Sequence, residues 1–92
     1  MPIYLISPLT HPTEVGAAVM EKVLEADRYR LAPVGWIVKF GGTTKELSDL
    51  LGVTSDIPPP TSPLGSCLVT MVGGYYGRAQ PDLWEWIKTR WA

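Results

Sequence analysis

Residues 35–52, GWIVKFGGTTKELSDLLG, constrain the fold more than any other stretch of the chain. Trp36, Ile37, Val38, Lys39 and Phe40 suit a strand, being mostly β-branched or aromatic. Strand side chains alternate between faces, so Trp36, Val38 and Phe40 share one face and Ile37 and Lys39 the other. The lysine marks the face away from helices, which places Trp36, Val38 and Phe40 in the core. Gly41-Gly42 permits a sharp turn. Thr43 and Glu46 then stand at capping-box spacing, where hydroxyl and carboxylate satisfy each other's backbone N–H groups. Leu47, Leu50 and Leu51 make the buried stripe of a short helix, and Gly52 is placed to close it in the left-handed conformation. The unit is strand, turn and helix, and it holds no catalytic group.

The flanking residues extend this pattern. Residues 3–6 read as a first strand ended by Ser7-Pro8. Pro12 opens a helix with Glu14 near its positive end. Val15, Ala18, Val19 and Val23 recur at helical spacing, with Met20 and Leu24 widening the stripe and Gly16 as a weak point. Residues 27–34 read as a second strand, antiparallel to the third because the connection at Pro33-Val34-Gly35 is so short. Tyr29 and Leu31 face one way, Arg28 and Arg30 the other. Residues 53–64, with four prolines, form a stiff loop. Residues 66–72 are a fourth strand, apolar on both faces. Pro81 and Asp82 open a final helix in which Leu83, Ile87 and Trp91 line up, Trp84 lies beside them, and Trp86 projects to a flank.

The order β-α-β-β-α-β followed by a C-terminal helix predicts an α+β, ferredoxin-like antiparallel sheet with helices on one face, in one domain over residues 1–92. Such a layout leaves the second sheet face bare. Ile37 and Lys39 on that face, with Trp86, become the candidate partner interface, and a homodimer is expected. The chain carries four tryptophans, which belong in the core or at a subunit contact because each has so much apolar surface to bury.

A hydrophobic share of 46% against 18% charged residues excludes a disordered chain. Net charge is −1 with the signs interspersed, so no phosphate-tracking field marks a dedicated nucleic-acid binder. Cys67 is the only cysteine, which excludes an internal disulfide and a cysteine-rich metal site. No signal peptide or membrane span is legible, and a cytoplasmic setting is expected.

Candidate chemistry is sparse. His11, the only histidine, has hydroxyl neighbours and no carboxylate. Cys67 sits in a strand with no adjacent positive charge to lower its pKa. Glu21 and Glu25, and Glu46 and Asp49, share helix sides without a third ligand. Gly41-Gly42-Thr43-Thr44 opens a helix that could hold an anion, but it lacks the lysine and the spacing of a P-loop. Residues 73–78, GGYYGR, are the exposed candidate for nucleic acid: Tyr75 and Tyr76 can stack on bases and Arg78 can meet phosphate. No catalytic residue, metal site or cofactor is expected.

Tyr4-Leu5-Ile6-Ser7, Trp36-Ile37-Val38-Lys39, Lys45-Glu46-Leu47 and Trp86-Ile87-Lys88 together resemble small bacterial proteins of the "SinR family", which look like relatives of the CRISPR-associated adaptation subunit that partners the integrase. The resemblance implies a ferredoxin-like fold and a homodimer. In the CRISPR-associated branch it also implies nucleic-acid association and, in some members, metal-dependent nuclease activity. Those members carry an aspartate at the end of the first strand. Here Ser7-Pro8 stands there, and a serine hydroxyl is a poor ligand for a hard cation. The expected function is therefore a non-enzymatic homodimeric adaptor with an unknown protein partner, in a mobile-element or phage-related setting. A divalent-metal nuclease or RNA-acting toxin is the first alternative, and a weak single-strand binder using Tyr75, Tyr76 and Arg78 the second.

Overall fold

A computed structural model describes residues 2–31, 35–54, 65–74, 77–78 and 81–90. The elements are β1 (Ile3–Pro8), α1 (Pro12–Lys22), a 3-10 turn (Glu25–Asp27), β2 (Arg28–Arg30), β3 (Trp36–Lys39), α2 (Thr44–Leu51), β4 (Cys67–Met71) and α3 (Pro81–Arg90). The strands form one antiparallel sheet in the order β2-β3-β1-β4. Hence β1 and β2 run parallel with β3 between them, and β3 and β4 run parallel with β1 between them. The architecture is α+β: a four-stranded antiparallel sheet with three α-helices among the described residues.

Ladder alternation explains where β1 ends. The Val72 N–H donates to the Ile3 carbonyl and the Leu9 N–H to the Ser66 carbonyl, both at 2.8 Å, so odd-numbered residues of β1 bond toward β4. The Phe40 N–H donates to the Pro2 carbonyl at 3.2 Å, so even-numbered residues bond toward β3. Pro8 is even. Its missing N–H faces the side where β3, starting at Trp36, has not begun, and it pairs across from Cys67 without loss of a bond. The expectation that Ser7-Pro8 ends the strand is thus corrected. The second strand is shorter than residues 27–34: Asp27 belongs to the 3-10 turn, and residues 32–34 lie outside the described set.

One face of the sheet carries the main core. Tyr4 and Ile6 from β1 and Trp36 and Val38 from β3 pack against Val15, Val19 and Val23 of the first helical stretch and Leu47 and Leu51 of α2. Phe40 joins at the margin, as its face predicts. Met20, Leu24 and Leu50, expected in the helix stripes, are 53%, 75% and 43% exposed. Met20 instead borders a groove between α1 and the sheet, and Leu24 lies past the end of α1, at the start of the 3-10 turn. The C-terminus of the first helix is closed by a strand residue: Arg28 Nη1 donates to the carbonyls of Val23 (2.7 Å) and Met20 (3.1 Å).

The other face is not bare. Ile87 of α3 is buried against Ile3 and Ile37, with Tyr29, Leu31, Val72, Leu83, Trp84 and Trp86 around them. The layout with helices on one face only is corrected: α1 and α2 cover one side, and α3 lies across the other. Polar contacts hold α3 on the β2 side. The Tyr29 hydroxyl donates to Asp82 Oδ2 at 2.6 Å, and Arg90 Nε donates to the Ala26 carbonyl at 2.7 Å. The bond to Asp82 raises the Tyr29 pKa above its ordinary value.

In α2 every local expectation except the place of Leu50 is met. Thr43 Oγ1 accepts from the Glu46 N–H at 3.1 Å, and Glu46 Oε1 accepts from the Thr43 N–H at 3.0 Å. Gly52 takes φ 90° and closes the helix. The Thr43 backbone bond lowers the Glu46 pKa, and the Lys45 ammonium, 2.7 Å from Asp49, with the Thr54 hydroxyl, lowers that of Asp49. Both carboxyls therefore titrate lower when folded, and the unfolded chain binds more protons in the acid range. Their stabilisation is full above the unfolded carboxylate pKa and is lost as pH falls through the folded values. The thermal midpoint is expected to drop between about pH 5 and pH 3, and less steeply in Glu46→Gln. An equally steep drop in that variant would remove Glu46 from the account.

Candidate functional site

The two sheet edges are β2 and β4, and they differ in chemistry. A second strand laid against β2, with sequence RYR, meets two arginines in three residues. β4, CLVTM, offers five uncharged residues. Its even-numbered residues bond β1, so the N–H and C=O groups of Cys67, Val69 and Met71 point away from the sheet. Leu68 and Met71 are 54% and 55% exposed, one on each face. Val69 and Cys67 pack their side chains on the main core. The start of the strand is held by the Ser66 N–H donating to Thr10 Oγ1 at 2.9 Å; Thr10 Oγ1 also lies 2.8 Å from His11 Nδ1. His11 is exposed.

Cys67 is half-buried, and burial pushes its thiol pKa up, so at neutral pH it is a protonated thiol and a poor nucleophile. The carboxylates do not gather: among the described residues, no three of His, Cys, Asp or Glu could share a metal ion. Ser7, at the end of the first strand, is half-buried and paired with Leu68.

The residues singled out for contact fall apart in space. Ile37 is 5% exposed beneath α3, so it is corrected from open interface to core. Lys39 is half-buried on the same face, across from Ile3. Trp86 is half-buried too, its ring 6.1 Å from Tyr29 and its face covered by the Arg90 guanidinium at 4.6 Å. It seals α3 to β2. Arg78 is exposed, while Tyr75 and Tyr76 lie outside the described residues.

On the main-core side, a groove of about 260 Å³ runs between α1 and the β2–β3 pair, lined by Pro12, Thr13, Gly16, Met20, Arg30, Gly35 and Trp36. Sequence alone places Trp36 in the core and gives Arg30 no role. The missed signal is symmetry: two strands joined by a short turn pair residues equidistant from its centre, and residues 30 and 36 flank residue 33. No helix among the described residues is long and apolar enough to cross a membrane. Compared with protein-family models, curated proteins and solved structures, the chain has no match in any of the three.

Proposed function

We propose that the protein is a non-enzymatic interaction module of ferredoxin-like fold that acts as a homodimer, two copies joining antiparallel along β4. The order β2-β3-β1-β4, in which each β-α-β unit is split by a strand of the other, supports the fold. The edge of β4, uncharged and unpaired among the described residues, with its half-exposed Leu68 and Met71, carries the dimer. Pairing symmetric about Val69 sets Cys67 across from Met71 of the partner subunit and joins the two sheets into one. The edge is uncharged, so it meets itself without repulsion, whereas β2 does not. An adaptor role in a mobile-element or phage-related, cytoplasmic setting, and kinship with the "SinR family" and the CRISPR adaptation subunit, belong to the same proposal and rest on the short motifs of the strands and helices.

Light scattering across micromolar concentrations tests it. The native chain is expected to be dimeric, and the Leu68→Lys/Met71→Lys variant, charged on both faces of the edge, monomeric with its fold intact. A native chain that stays monomeric at high micromolar concentration would sink the reading. As a control, RNA and DNA incubated with magnesium or manganese are expected to stay whole; cleavage that a chelator abolishes would put a nuclease in its place.

A further inference from the structure

The groove at the far end of the sheet from β4 contains donors that meet no acceptor among the described residues. Arg30 and Trp36 are register partners on β2 and β3. The Leu31 N–H donates to the Gly35 carbonyl at 3.0 Å, so the hydrogen-bonded pairs are the odd-numbered ones, and Arg30–Trp36 is a non-bonded pair, the kind whose side chains lie closest. Arg30 is exposed and forms no ion pair among the described residues. Trp36 is only 8% exposed; its indole N–H finds no acceptor among them, and since no buried side-chain nitrogen or oxygen there is left unpartnered, that N–H is open to solvent. Trp36 lines the groove.

The facing wall is the first turn of α1. Its N-cap, His11, makes no side-chain capping bond, and Pro12 has no N–H, so the N–H groups of Thr13 and Glu14 at the positive end of the helix are not capped by that residue. The Thr13 hydroxyl adds another donor to the lining, and Met20 and the body of Trp36 add apolar surface. No carboxylate lines the groove. Gly16 leaves room beside it: a Cβ there would stand 3.5 Å from Trp36 Nε1, in ordinary contact.

We propose that this groove binds a small organic carboxylate with a flat apolar body. One planar guanidinium makes a bidentate pair with one carboxylate, and the indole N–H and the helix start supply the remaining donors. A phosphate dianion would call for a second cation, and the lining has one. The volume suits a body of roughly one aromatic ring, below the usual ~300–1,000 Å³ of drug-sized pockets. The site is independent of self-association, because β2 and β4 are opposite edges.

The probe is benzoate, with benzamide as its neutral counterpart and phenyl phosphate as the dianion, read by the indole N–H resonances in ¹⁵N-resolved NMR and assigned with Trp36→Phe. Benzoate is expected to shift the Trp36 indole resonance saturably, phenyl phosphate to bind more weakly, and benzamide to leave it unmoved. Arg30→Gln is expected to weaken benzoate about tenfold, the size of one lost charge-assisted bond, with an unchanged melting midpoint. Gly16→Ala separates binding from folding: the midpoint rises because alanine is the better helix former, while benzoate affinity falls. An unmoved Trp36 resonance, equal shifts with benzamide, or undiminished binding by Arg30→Gln would each overturn the proposal.

Discussion

Replacing Ile87 with alanine is expected to lower the free energy of unfolding by about 3 kcal/mol, within the range for deleting a fully buried isoleucine side chain. Ile87 is 2% exposed and closes the cluster that Ile3 and Ile37 begin on the second face of the sheet. Truncation leaves a cavity between helix and sheet, and the polar ties at Asp82 and Arg90 keep the helix from collapsing to fill it. Urea unfolding with a constant slope checks it. A loss below about 1 kcal/mol, the level of ordinary surface substitutions, would mean that α3 does not dock and that the second face is open after all. Undocking would also lower the slope, since less surface is then exposed on unfolding.

Tyr4→Ala is expected to be more damaging still, costing about 3–5 kcal/mol by analogy with other large aromatic truncations. Tyr4 is 0% exposed and is among the largest fully buried side chains. It packs edge-on to Phe40, with centroids 6.2 Å apart, and its hydroxyl donates to the Gly42 carbonyl at 2.6 Å. One side chain thus holds the sheet, the β3 margin and the turn into α2 together. A domain of this size has about 5–10 kcal/mol in total, so the alanine variant should be partly unfolded at moderate temperature. Tyr4→Phe separates ring from hydroxyl and is expected to cost only about 1 kcal/mol. Equal losses for the two variants would assign the effect to the hydrogen bond instead of the packing.

Local signals were legible and distant ones were not. The capping box of Thr43 and Glu46 and the stop at Gly52 lie within ten residues, and their geometry is as the spacing implies. The faces of Trp36 and Val38 followed from strand alternation and the lysine at residue 39. The burial of Ile37 depends on Ile87, fifty residues away in the chain, and α3 is apolar at Leu83, Trp84, Trp86 and Ile87, on too many sides for periodicity to choose a docking face. Proline lacks a donor and so reads as a strand stop; which side of the strand needs that donor is set by the partner strands. The groove was illegible for a related reason. Arg30 and Trp36 are each ordinary alone, and only the strand register sets them side by side.

The arginines of β2 have a consequence for how large an assembly can grow. A sheet with two adhesive edges adds copies without limit and becomes a fibre. Under the proposed pairing β4 is the adhesive edge and β2 the guarded one, by the exposed Arg30, while Arg28 is turned back to cap the first helix. Joining along β4 uses the adhesive edge of both copies and leaves guarded edges at both ends. A dimer joined as proposed would close at two, and substituting an uncharged residue for Arg30 would then favour a growing filament over a self-limiting pair.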